Sequence, residues 1–127
     1  DWELTKTDTK QHCVRCVEIL KKNGASDYLI KTIQSHGEST RQGRVQHALA
    51  ASETLTGLII AATLVQPDKK LARVKLESLK KKFNTKKFAA NCRRDIILEC
   101  EQIGVSIDEF LALGLKALQG IHGQLGL

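Results

Sequence analysis

The stretch that most constrains this chain is "VQHALAASETLTGLIIAATLVQP", from Val45 to Pro67. Leu49, Leu55, Leu58, Ile59, Ala62 and Val65 recur at helical spacing, and Pro67 closes the run because it can neither donate a backbone hydrogen bond nor fit the preceding turn. The segment is apolar on more than one side, so it predicts a central helix that other elements must cover. Glu53 is the exception within it. A carboxylate on so apolar a helix must face solvent or be paired, because an unpaired buried charge is costly.

The flanking segments are also helical in period. Asp8 or Thr7 can cap a first helix with Cys13, Cys16, Val17 and Leu20 on one stripe and Asn23-Gly24 at its end. Ser26 caps a second, carrying Leu29, Ile30 and Ile33 and stopping near His36-Gly37. After the polar loop "GESTRQG" and the central helix come a basic helix with Val74, Leu76, Leu79 and Phe83, then a fifth capped by Asn91 with Ile96, Ile97, Cys100 and Ile103 inward. Gly104 ends the fifth, and "SIDE" is a capping box opening a last helix on Phe110, Leu111, Leu115, Leu118 and Ile121. The tail "HGQLGL" is expected to fray. No alternating run supports a strand, so the expectation is all-α, a bundle of about six helices.

With 127 residues the chain is read as one domain, 1–127, able to bury a single core. The longest apolar run, "GLIIAATLV", is too short to span a bilayer, and no charged-then-apolar leader precedes it. Four cysteines without a secretory leader predict reduced thiols and a cytoplasmic location. The charge is uneven. Between Asp68 and Arg94 there are eleven Lys or Arg and two acids, a local +9; the total is +6, so the remainder sums to −3. A basic segment on a mildly acidic body raises the question of an anionic partner.

Three groups of residues invite a chemical reading. Cys13 and Cys16 have the spacing of a metal knuckle, but Cys92 and Cys100 are eight apart and the first pair falls on an apolar stripe, where cysteine packs as a small hydrophobe. Core packing is the expectation. The segment "DKKLARVKLESLKKKFNTKKF" suits a phosphate backbone by charge, yet only Phe83 and Phe88 are present for base stacking. The third group is His12, His36 and Glu53. Two imidazoles and a carboxylate on three successive helices are suitable ligands for a divalent metal.

The order "DWE", "KQHC", "QSHGEST", "ALAASETLTGLIIAATLVQPDKKLARVKLESLKKKF" and "KKFAANCRRDIILECEQIGVSIDEFLALGLKAL" resembles a subfamily of bacterial HD-domain (HDIG-type) metal-dependent phosphohydrolases. The resemblance covers the whole chain and corresponds to roughly the last two-thirds of a family member. Its most specific part is "LTGLIIAATLVQPDKKL" with the following "KKKF". In that family a first-helix histidine, an adjacent His-Asp pair and a later aspartate hold the metal, and the pair sits in "HD-x-D-[WY]-E". Asp1-Trp2-Glu3 matches the end of that pattern, so the resemblance implies that the dyad lies before Asp1. His12 matches the histidine of the family's "KHG", with Cys13 for glycine. His36 matches that of "xHNE", with Gly37 for asparagine. Glu53 falls at the family's last metal-binding aspartate. His47 has no family counterpart and is read as exposed.

The resemblance implies a hydrolase of nucleotides or other phosphate esters that uses manganese, iron, nickel or magnesium. A metal-activated water would attack phosphorus while the metal and histidines offset phosphoryl charge. Without the dyad this chain alone is expected to be inactive and to hold no metal tightly. The partners implied are a phosphorylated small molecule or nucleotide, and no membrane. The rival is a non-catalytic helical module binding nucleic acid or an acidic partner through 68–94. Self-association is the third outcome, because missing first helices would uncover apolar surface.

Overall fold

The computed structural model describes residues 13–37 and 40–127. Those residues form seven α-helices: α1 Val14–Lys22, α2 Asp27–Gln34, α3 Arg44–Leu64, α4 Leu76–Asn84, α5 Arg94–Ile97, α6 Ile107–Gly120 and α7 His122–Leu125. Three 3₁₀ turns interrupt them, at Ser35–Gly37, Leu71–Arg73 and Leu98–Ile103, and no strand occurs among the described residues. The fold is all-α. The chain divides into two compact units, residues 1–50 and 51–127.

In the first unit α1 packs against α2. The Ser26 side chain accepts the Leu29 N–H, as its N-cap position predicts. Cys13 caps α1 with φ +66°, so it heads the helix instead of lying within its stripe. The expected cap at Asp8 or Thr7 falls outside the described residues. Within α2, Ile30 is buried while Leu29 remains exposed.

The second unit contains a continuous core. Ala51, Leu55, Leu58, Ile59 and Ala62 from α3 meet Leu71, Val74, Leu79, Ile97, Cys100, Phe110, Leu111 and Leu115. Leu58 and Ile59 are 0% exposed, which makes this part of α3 as central as its apolar pattern demands. By length and composition α3 could cross a membrane, but here its apolar side chains build that core. At Gly114 a Cβ would stand 2.6 Å from Leu55 Cδ2, so glycine lets α6 come close to α3. Gln119 ties α6 to the 3₁₀ turn, donating from Nε2 to the carbonyls of Leu71 (3.1 Å) and Val74 (3.0 Å).

Ser106 accepts the Glu109 N–H at 3.4 Å, and Gly104 ends its turn at φ +81°. Two expectations fail here. Asn91 does not cap the fifth helix: the cap position is Arg93, and the segment tightens from α5 into a 3₁₀ turn at Leu98. The tail also does not fray into extended chain. It adds α7, and Leu127 packs against the core, with His122 Nδ1 3.3 Å from the Leu127 carbonyl. A terminal leucine within reach of apolar surface outweighs the glycine-rich composition of "HGQLGL".

Candidate functional site

His36 sits in the 3₁₀ turn that ends α2. Its Nδ1 meets the Ile33 carbonyl oxygen, and since a carbonyl only accepts, Nδ1 carries the proton. That tautomer leaves the lone pair on Nε2. Arg41 donates to the His36 carbonyl at 3.3 Å, holding the backbone of the turn. The Cys13 sulfur lies 3.7 Å from Nε2 and 3.9 Å from Nδ1. Near-equal distances put the sulfur beside the ring and off the Nε2 lone-pair axis, so this is a weak thiol contact.

Glu53 belongs to the second unit and is exposed. Exposure answers the question its position raised: the apolar helix turns this residue to water. The Thr54 hydroxyl donates to Glu53 Oε2 at 3.3 Å. Cys92 is close enough to feel the carboxylate: burial pushes its thiol up, Arg94 opposes this, and the Glu53 charge adds to the rise. One turn along α3, a Cβ at Gly57 would stand 3.1 Å from Cys92 Sγ, so glycine leaves room for the sulfur.

Of the three nominated ligands, His12 lies outside the described residues, His36 is in the first unit and Glu53 in the second. No three His, Cys, Asp or Glu side chains among the described residues form a group able to hold a metal. His47 is half-buried rather than exposed, its N–H bonded to the Gly43 carbonyl at 3.1 Å. The four cysteines carry no disulfide; Cys13 and Cys100 are buried, and Cys100 belongs to the core of the second unit.

Part of the basic segment serves the fold. Arg94 donates to six backbone carbonyls: Nε to Phe83 (3.0 Å), Nη1 to Ala89 (3.0 Å) and Cys92, and Nη2 to Lys82 (3.1 Å), Thr85 (3.4 Å) and Phe88 (2.6 Å). The guanidinium thus closes the C-terminal end of α4 and the loop after it, where a cation also suits the helix dipole. Lys80 pairs with Asp108 at 3.1 Å, Arg73 with Asp68 at 3.3 Å, and Arg93 with Asp95. Lys82 donates to Ser78 Oγ at 3.1 Å and stands 5.7 Å from the centre of the Phe88 ring. Five of the eleven cations are tied into the fold this way, leaving Lys69, Lys70, Lys75, Lys81, Lys86 and Lys87.

Sequence patterning does not reveal Arg94, because side-chain bonds to loop carbonyls leave no periodic trace. The one hint is a charged residue placed just after a loop that itself has few capping residues. No protein-family model, no curated protein and no solved structure matches this chain.

Proposed function

We propose that this chain is the later part of an HD-type, metal-dependent phosphohydrolase, acting in the cytoplasm on a nucleotide or another phosphate ester. The observation that carries the proposal is the contact of His36 Nδ1 with the Ile33 carbonyl. Metal-binding histidines characteristically give one ring N–H to a carbonyl or carboxylate, which orients the ring and directs the other nitrogen's lone pair to the ion. His36 has that arrangement through the Ile33 carbonyl. It is also a position that the sequence resemblance nominates.

Glu53 suits a ligand role in one respect, because its carboxylate is exposed on a rigid helix. His12 is the third nominated donor. A divalent ion held by such groups supplies Lewis acidity, activating water and offsetting charge on the phosphoryl oxygens. The chain's own contributions are orientation of the His36 ring by Ile33 and support of its turn by Arg41.

Alone, the chain is expected to bind the ion weakly and to retain no stoichiometric metal on purification. Manganese added to the isotope-labelled chain should broaden the His36 ring signals first, ahead of the exposed His122. Equal broadening of both rings would refute the role of His36.

A further inference from the structure

From Lys81 to Arg94 the chain carries six cations and no acid. The fold turns this run back on itself. Arg94 Nη2 alone reaches the carbonyls of Lys82 (3.1 Å), Thr85 (3.4 Å) and Phe88 (2.6 Å), so the chain after α4 curls around one guanidinium. Lys81 and Lys82 sit in the last turn of α4, where the curl begins, and Lys86 and Lys87 lie between Thr85 and Phe88. Charges that an extended chain would spread out are thereby gathered at one end of α4.

Lys81, Lys86 and Lys87 are exposed, and no hydrogen bond or ion pair among the described residues holds their ammonium groups. Lys82 is half-buried, bonded to Ser78 and set over Phe88. The nearest carboxylates in sequence are Glu77, one turn before Lys81, and Asp95, which is paired with Arg93. Like charges gathered in this way repel one another, and a bound polyanion relieves the repulsion.

The surroundings narrow the choice of polyanion. Phe83 and Phe88 both pack against the core, and each already faces a cation, Arg94 at 5.9 Å and Lys82 at 5.7 Å. Neither ring is open to stack an unpaired base, the contact on which single-strand binding relies. No large apolar side chain between Lys75 and Ile97 is exposed, so nothing here would insert into a lipid surface. Arg93 and Arg94, whose planar forks could read a base edge, are engaged by Asp95 and by the loop carbonyls. The three open lysines are point charges, suited to phosphates and blind to base identity.

We infer that the end of α4 and the loop after it bind the phosphate backbone of double-stranded nucleic acid, without regard to sequence, through Lys81, Lys86 and Lys87. Such binding needs no metal and is independent of the phosphohydrolase proposal.

The test is fluorescence anisotropy of a labelled RNA duplex of about 20 base pairs, titrated with the full chain at salt from about 50 to about 200 mM. Dissociation constants of about 10⁻⁴–10⁻⁶ M are expected, and a duplex of scrambled sequence should bind equally well. Each neutralised phosphate contributes about 0.9 to the slope of log affinity against log salt. Three lysines therefore give about −2.7, a loss of about fortyfold across that salt range. Replacing all three, Lys81→Gln with Lys86→Gln and Lys87→Gln, should remove most of that slope and weaken binding at least about tenfold at the lower salt. The circular dichroism melt should not change, because none of the three is bonded within the fold. Lys69→Gln with Lys70→Gln removes two charges before α4 instead, and should lower the slope by less than about 1. Absent or salt-independent binding, indifference to the triple change, or an equal loss in the Lys69 and Lys70 pair would each overturn the inference. So would tighter binding of the unpaired strand, or equally tight binding of polyglutamate or of anionic phosphatidylserine vesicles.

Discussion

Arg94→Ala should be among the most damaging single changes outside the apolar core. The guanidinium has five N–H groups and serves six carbonyls, so at least one donor is shared. Hydrogen bonds from a charged donor contribute about 1.5–3 kcal/mol each, and a carbonyl left open to water recovers most of that. The loop between α4 and α5 lies near the surface, so most of the six would be rehydrated. Counting two as irreplaceable gives a loss of about 3–6 kcal/mol, a large share of a small domain's stability. The Phe83 ring, 5.9 Å from the guanidinium carbon, would also lose a cationic neighbour. Urea denaturation followed by circular dichroism measures the loss. Arg94→Lys keeps the charge but not the fork, and should recover less than half. If Arg94→Ala costs under about 1 kcal/mol, the carbonyls do not depend on the guanidinium and the loop is held by other means.

Gly114→Ala should destabilise by about 1 kcal/mol: the new Cβ meets buried Leu55, and the strain of about 1–3 kcal/mol exceeds the helix-propensity gain of about 1 kcal/mol. A thermal melt reads it, and a gain in stability would show that Leu55 can move aside. Burial raises the thiol pKa of Cys100 and of Cys92, so the native state favours their protonated forms. Stability from this source is complete below the ordinary thiol value of about 8.5 and falls as pH rises through the raised folded values; a urea midpoint unchanged across that range would contradict it. Glu53→Gln should shift stability by less than about 0.5 kcal/mol, because the carboxylate is exposed, and should speed alkylation of Cys92 by removing a charge that holds its thiol up. Unchanged alkylation would show that Glu53 does not act on Cys92.

The helices were legible because burial imposes a period on sequence. Leu55, Leu58, Ile59 and Ala62 are at 3.6-residue spacing and all reach the core. The caps at Ser26 and Ser106 were legible too, since a hydroxyl three residues before an N–H is a local signal. Asn91 failed as a cap because the chain there is organised by Arg94, a contact between residues up to twelve apart with no local signature. The tail departs from the expected fraying for a similar reason: Leu127 packs on residues distant in sequence. At the candidate site, residue types pointed to His36, but the Ile33 carbonyl that sets its tautomer belongs to the geometry of one turn. Glu53 stands out against the apolar pattern of α3, and the structure takes the solvent-facing alternative that the sequence leaves open.

Hydrolysis of a phosphate ester by a rebuilt protein tests the proposed function most directly. The chain is extended upstream by a histidine-bearing helix ending in "HD" and one further residue, and phosphate release from p-nitrophenyl phosphate is followed with and without manganese. The expected result is hydrolysis that needs the metal and falls at least about a hundredfold in His36→Gln, the upper range for disturbing a metal's support, with the fold intact by circular dichroism. Hydrolysis that persists without metal, or that His36→Gln leaves unchanged, would contradict the assignment of this chain to metal-dependent phosphoryl chemistry.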